Sequence, residues 1–395
     1  MDPANLQDSY VQVPVHRLEQ GMYVAMLDRP WLETPFVMQG FAIQGDDDIL
    51  TLAQHCDVVY VDPRRAHTVT AAPSIDASHR RLREDFSAAK VSFESAGAAV
   101  RRVFKQLRTQ GALDLVAVKH AVSPLIKSVM QHQDALAALA RMKTKDDYLF
   151  NHSIATAVWA ALIGRQVGLD RALLTSLAVG AAVLDVGKVK LPEALLGKSG
   201  LLNAEERALM CRHVEFGLEL ARSSGLDDPV VMQVMGMHHE RFNGQGYPGG
   251  ITAQETPLVA QIAGLADSYD AMLTPRPYAA PHTSFTAVQE LLDLQDIAFS
   301  KPLVEQFVQA VGLFPTGCLV ELNTGEVGIV VAQNPARRLR PKIMLVLDAQ
   351  HQPPADLVTL DLMKYSAGGA DAGALWIVKE LEQGAYGISA AEFFL

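Results

Sequence analysis

His152, Asp185, His213, His238, His239 and Asp267 recur along the stretch from His152 to Tyr278, each on or at the end of a segment with mostly apolar neighbours. Imidazole and carboxylate groups are expensive to bury unless something pairs or coordinates them. A metal centre inside a helical bundle satisfies several of them at once, which requires the helices that carry them to converge on one point. Between the histidine pair and Asp267 lies HHERFNGQGYP, His238 to Pro248, too polar and glycine-rich to continue a helix.

The helical phasing agrees with convergence. His152 shares the inward face of Ala155, Trp159 and Ile163 by the 3.6-residue period. Leu173 to Ala182 is almost wholly apolar, the mark of a central helix, and runs into VLDVGK so that Asp185 emerges at its end. Asn203 to Glu206 is a capping box that starts the helix bearing His213. Asp227 or Asp228, with Pro229, starts the helix that ends in His238 and His239. A last helix from about Leu258 places Ala263, Asp267 and Asp270 along one side. A single histidine of this kind is more often hydrogen-bonded than a ligand, and adjacent His238 and His239 point in different directions on a helix. The joint occurrence favours a metal site over separate structural histidines.

At 395 residues the chain exceeds what one core serves, so several domains are expected. Residues 1–66 read as a small α+β unit: Val11, Val13 and Val15 alternate with polar residues, Asp47 to Leu52 suits a short helix and Val58 to Val61 a strand. Trp31, Phe36, Phe41 and Ile43 are its expected core. A linker over 67–79 leads to a helical connector over 80–142, with a break at Gly111 and helices at Leu115 to Met130 and Asp134 to Met142. That connector serves as a brace or as a dimer face, and both uses stay open. The bundle occupies 143–311. In 312–395 a hairpin turns at Asn323-Thr324-Gly325, further strands follow at Ile343 to Leu347 and Asp356 to Leu362, and Trp376 to Glu382 suits a short helix. Arg337, Arg338, Arg340 and Lys342 read as the solvated side of a strand pair, and Phe393 and Phe394 as an end that docks on the bundle. The apolar runs fall short of a membrane span. The start carries no secretion signal, and Cys56, Cys211 and Cys318 form neither a disulfide framework nor a zinc pattern. A cytoplasmic location is therefore expected, and a net charge of −10 argues against DNA as a partner.

The residues of the first two paragraphs resemble the HD-GYP domain, the branch of the HD phosphohydrolases that hydrolyses cyclic di-GMP. The resemblance runs from about Lys143 to Val311. It rests on His152, the Asp185-x-x-Lys188 unit, GKSGLLNAEE, His213, HHERFNGQGYP and ADSYDAMLTPRPY (Ala266 to Tyr278). The N-terminal unit resembles the small domain often found ahead of such modules, and residues 312 to 348 resemble the strand-rich tail behind them. The resemblance implies a mainly α fold: an HD-type helical bundle with a small α+β N-terminal domain and a small β-rich C-terminal extension. It implies two divalent metals, iron or manganese, bridged by Asp185 and by a hydroxide that attacks a phosphodiester phosphorus. His213, His238 and His239 would serve one metal, and His152 and Asp267 the other. Lys188 would offset transition-state charge. Arg241, Tyr247 and Arg276 would hold the substrate or the loop. The implied partners are cyclic di-GMP and, through the GYP loop, GGDEF-domain proteins.

The chain departs from the family at three places. Leu184-Asp185 stands in place of the His-Asp pair, so one metal loses a ligand and the second site is weakened. Ala279 and Ala280 replace basic residues that follow the RPY tripeptide, with His282 nearby. Tyr148 stands where three-metal members carry a glutamate, so no third metal is expected. The implied function is a cyclic di-GMP phosphodiesterase in bacterial second-messenger signalling. The alternatives are another metal-dependent phosphohydrolase and a catalytically impaired module that senses cyclic di-GMP or binds a GGDEF protein. A purely structural protein would bind neither metal nor nucleotide.

Overall fold

A computed structural model describes residues 10–29, 41–43, 45–62, 75–142, 148–274, 281–334, 337–354, 356–365 and 374–394. Trp31, Phe36, Arg276, Ala279 and Ala280 lie outside the described residues, as does the side chain of Tyr148.

Near the N-terminus, β1 (Val11–Pro14), β2 (Tyr23–Leu27), β3 (Phe41–Ala42) and β4 (Val58–Val61) form an antiparallel sheet in the order β1-β4-β2-β3, with α1 (Asp46–His55) before the last strand. Alternation along these strands buries Val24, Phe41, Ile43, Val59 and Val61 with Leu52 of α1, giving the unit a core of its own.

Helices α2 (Ile75–Gln110), α3 (Leu115–Gln131) and α4 (Gln133–Arg141) follow. Gly111 ends α2 at a positive φ of 72°, a conformation a residue without Cβ adopts freely. Asp114 caps α3 by accepting from the Ala117 amide. The apolar faces of these three helices are continuous with the core of α5 (Tyr148–Val167), α6 (Arg171–Val183), α9 (His213–Ser223), α10 (Pro229–Met237), α11 (Leu258–Met272), α12 (Ser284–Asp293) and α13 (Lys301–Val311), while the short α7 (Glu193–Leu196) and α8 (Ala204–Cys211) lie between α6 and α9 in the chain, outside that core. By length and composition Arg171–Lys190 would suit a membrane crossing, a longer apolar stretch than the sequence reading allowed. Its apolarity has another cause: 67% of it is buried, with α6 packed between α3, α5 and α10.

The C-terminal region is a five-stranded antiparallel sheet, β5 (Leu319–Leu322), β6 (Val327–Ala332), β7 (Lys342–Leu347), β8 (Thr359–Asp361) and β9 (Ile377–Leu381), in the order β8-β7-β6-β5-β9. Two expectations are corrected here. Trp376 to Glu382 is not a helix: Ile377 and Val378 favour an extended chain, and β9 zips onto β5 with Lys379 opposite Glu321, an ion pair of 3.2 Å. The arginine run is not a solvated strand face. Arg337 donates to Thr51 and pairs with Asp48 of α1. Arg338 is only 5% exposed and lies in the field of the half-buried Asp134 at the start of α4. Arg340 donates to the carbonyls of Leu362, Tyr365 and Leu375. Three neighbouring guanidiniums thus face three different parts of the chain. In α14 (Ala391–Phe394), Phe394 stacks on Phe86 of α2, ring centroids 4.0 Å apart.

Sheet and bundle also share a buried ionic knot. Glu380 of β9 accepts from Arg141 of α4 at 2.8 Å, from the Cys318 thiol at 3.1 Å and from the Phe285 amide at the start of α12 at 2.8 Å. Its side chain is 2% exposed. Glu380→Ala leaves the Arg141 charge buried without its partner, a change that costs about 3 kcal/mol or more. The expected result is a lower urea midpoint with an unchanged slope; wild-type stability in that variant would mean the knot carries little of the sheet–bundle contact.

Candidate metal centre

Asp185 is the residue on which the other candidates converge. It follows α6 directly, and the tight turn Val186–Lys190 then runs alongside α9. The approach is close because residue 187 has no side chain: a Cβ there would lie 1.9 Å from the His213 carbonyl oxygen. Asp185 is 2% exposed. Its Oδ2 accepts from Lys188 and lies 3.6 Å from His152 Nε2, while Oδ1 lies 3.3 Å from His213 Nε2.

His152, His213 and His238 are each oriented by what the other ring nitrogen holds. The capping box of Asn203 and Glu206 starts α8, one helix earlier than expected; Arg212 then ends α8, and His213 opens α9. His213 Nδ1 donates to the Met210 carbonyl at 2.8 Å. Asp228 caps α10 through the Val230 and Val231 amides and accepts from Ser176 of α6, which fixes where that helix ends. At its end His238 Nδ1 donates to the carbonyls of Val234 and Met235, and His239 follows. His152 of α5 contacts Asp270 Oδ2 through Nδ1 at 2.7 Å and Asp267 Oδ1 through Nε2 at 2.9 Å. Asp270 in turn accepts from Trp159 Nε1 at 3.0 Å and from the Thr274 hydroxyl.

These contacts set the charges. Burial pushes His213 and His239 below the usual imidazole range and His238 down to about 4, so all three are neutral near pH 7. Burial opposes charge on His152 as well, but the hydrogen bonds and charges of Asp267 and Asp270 outweigh it and raise that imidazole to about 9. Burial also works against Asp185 and Asp267. Lys188 and His213 beside the first, and His152 beside the second, nevertheless hold both below the usual carboxylate range.

The arrangement fits a metal ion. His213 Nε2 and His238 Nε2 face each other at 3.4 Å, and with both Nδ1 protons committed to carbonyls neither can donate to the other. Asp185 Oδ1 is buried with no hydrogen-bond partner. A cation between these lone pairs satisfies all of them. The donor atoms fall into two groups, each within 4.8 Å: Asp185, His213, His238 and His239 in one, and His152, Asp185 and Asp267 in the other. The six candidate ligands read from the sequence are therefore brought together, with Asp185 common to both groups. Leu184, 2% exposed, ends α6 and adds no donor.

The remaining candidates are placed differently. Tyr247 stacks on His239 at 4.5 Å between centroids. Arg241 Nη1 donates to the carbonyls of His238 and Glu240, with the guanidinium over the Phe299 ring at 5.1 Å. His282 lies 3.3 Å from Glu290. The sequence reading put Asp270 beside Asp267 but missed its grip on His152. The three-residue spacing of the two acids was the available signal; the partner, 118 positions away, was not.

The HD domain family matches residues 120–298, a domain of unknown function, DUF3391, matches 10–118, and a KOW domain associated with HD domains matches 319–368. A cyclic di-GMP phosphodiesterase of Pseudomonas aeruginosa is 29% identical over 369 residues, 89% of this chain and 88% of the relative. The chain is an HD-domain protein of the HD-GYP type. A cyclic di-GMP phosphodiesterase of Thermotoga maritima is 33% identical over 148 residues, 37% of this chain and 40% of that one. The solved structure of an HDG"Y"P protein from Bdellovibrio bacteriovorus aligns with a TM-score of 0.48 at 17% identity, covering 75% of this chain and 98% of the other. HD-domain phosphohydrolases bind divalent metals, and this HD-GYP chain carries a cluster suited to one.

Two outcomes are expected. Gly187→Ala must push the Asp185 turn off α9, costing about 1–3 kcal/mol in thermal or urea unfolding. Asp270→Asn removes the charge that orients His152. Manganese retained after dialysis, read by atomic absorption, is expected to show metal affinity falling about 10-fold to 100-fold; unchanged affinity would sink the orienting role.

Proposed function

We propose that the chain is a metal-dependent phosphodiesterase that hydrolyses cyclic di-GMP in bacterial second-messenger signalling. The observation that carries this reading is the pair of donor groups sharing one buried carboxylate, Asp185, with a lysine on that carboxylate. Iron or manganese suits the mixed imidazole and carboxylate donors. His213, His238, His239 and Asp185 would hold the tighter metal. His152, Asp267 and Asp185 would hold the weaker one, because Leu184 offers no lone pair. Bound there, divalent metal supplies a water of lowered pKa and polarises a phosphoryl oxygen.

The chain's own groups do the rest. Lys188, its side chain 22% exposed beside a carboxylate 2% exposed, reaches from solvent to the centre and places a positive charge where phosphate charge grows. Neutral His213 and His238 keep Nε2 lone pairs inward because their Nδ1 protons are held by backbone carbonyls. Tyr247 forms one wall over His239 and, in this reading, contacts the substrate; Arg276 is a further proposed contact. The GYP loop is also the proposed contact surface for a GGDEF-domain protein.

The deciding experiment is turnover of cyclic di-GMP by protein purified anaerobically with iron or manganese, with metal content determined on the same sample. Turnover that Asp185→Ala abolishes supports the assignment. Leu184→His is expected to raise metal retention at the weaker position, whatever happens to rate. Metal-loaded, folded wild type without turnover would reject the phosphodiesterase and leave the chain as a cyclic di-GMP binder, which equilibrium dialysis would detect.

A further inference from the structure

The sequence HHERFNGQGYP contains one acidic group, and the metal centre does not use it. Glu240 belongs to neither donor group, yet it is 7% exposed. A buried carboxylate is costly unless something compensates it, and no cation is paired with this one among the described residues. Its partners are backbone amides. Oε1 accepts from Gly249 at 2.6 Å and Oε2 from Ile251 at 3.1 Å, short charge-assisted bonds that pin the far arm of the loop to the end of the histidine helix. The near arm is pinned as well, by the Tyr247 amide donating to the His239 carbonyl at 3.1 Å.

Tyr247 sits between these two anchors. Its ring stacks on His239, inclined by 27°, and meets His213 edge-on at 6.3 Å. Tyr247 is half-buried, and its hydroxyl makes no hydrogen bond to the described residues. A Cβ at residue 246 would lie 2.4 Å from the His239 carbonyl oxygen, so the loop folds this tightly over the histidine pair only with glycine there. The carboxylate therefore fixes the position of an aromatic wall without touching the centre itself.

We propose that Glu240 is a positioning residue: by holding the Gly249 and Ile251 amides it sets Tyr247 over His239, where Tyr247 contacts the cyclic dinucleotide. This rests on the proposed function for the ligand, but not for the loop geometry. Glutamine at 240 keeps the shape and one acceptor oxygen, and turns an NH₂ group against the other amide. The loop should then lift while the donor groups stay.

The test uses the full chain labelled with 3-fluorotyrosine, the Tyr247 fluorine signal being assigned by its loss in Tyr247→Phe. In Glu240→Gln that signal is expected to move toward the position of solvent-exposed tyrosines. KM for cyclic di-GMP should rise about fivefold to tenfold, the size of one or two lost net hydrogen bonds, with kcat and bound metal little changed. Tyr247→Ala should raise KM comparably, and the double variant should be no worse than either single change. Gly249→Ala, whose Cβ would stand 3.1 Å from Glu240 Oε1, keeps the charge and should shift the signal in the same direction to a smaller extent, which covers a Glu240→Gln that folds poorly. An unmoved fluorine signal, additive KM effects, or loss of metal together with the signal would overturn the proposal. Inactive wild type would remove the proposed function alone, and the fluorine shift would still decide where Glu240 holds Tyr247.

Discussion

The Asp185 carboxylate is the constraint on which the rest of the structure depends. It is buried at the end of the apolar helix α6, between His152 and His213, and Lys188 is the cation bonded to it. A charge in that place is tolerated only if several elements deliver partners to it together. That requirement explains the turn at Val186–Lys190, the glycine that lets it lie on α9, and the way α5, α9, α10 and α11 all end their polar content at one point. The apolar core holds these helices together, and the carboxylate is where their buried polar groups meet.

The two donor groups around Asp185 differ in kind. His213 and His238 are oriented by backbone carbonyls, which fix the tautomer without adding charge. His152 is oriented by a second carboxylate, Asp270, so that Asp185, Asp267 and Asp270 all face one imidazole. Leucine at 184 offers no donor to this second group and takes away none of its negative charge. In the proposed two-metal reading the attraction for a divalent cation there is retained while the geometry that selects among cations is loosened, which makes that position weak and less selective.

Much of this was legible in the sequence because it is local. The capping box at Asn203, the Asp228-Pro229 start of α10 and the phase of His152 with Trp159 follow from spacing within one helix. The family motifs supplied the joint assignment of the six ligands. What spacing could not show is decided by partners far along the chain. Asp270 reads as one more inward acid until His152 is placed against it. Arg337, Arg338 and Arg340 read as a solvated basic run until α1, α4 and the loop carbonyls are placed around them. Trp376 to Glu382 has enough helix-forming residues to suit a helix, and the free edge of β5 overrides that preference.

The ends of the chain are joined to the bundle by different physics, and that difference has a consequence. The C-terminal sheet shares the main apolar core and adds the Glu380 knot, which reaches the first turn of α12 and the last turn of α4. Separating it would expose apolar surface and strand a buried charge together. The N-terminal sheet keeps its own core and meets the C-terminal region through Arg337, which donates to Thr51 and pairs with Asp48, a carboxylate whose side chain is 2% exposed. Losing that partner would strand a buried charge there too, as losing Arg141 would for Glu380. The sheet behind the bundle therefore folds as part of the bundle's apolar core, whereas the sheet ahead of it brings a separate core and is joined by a buried ion pair.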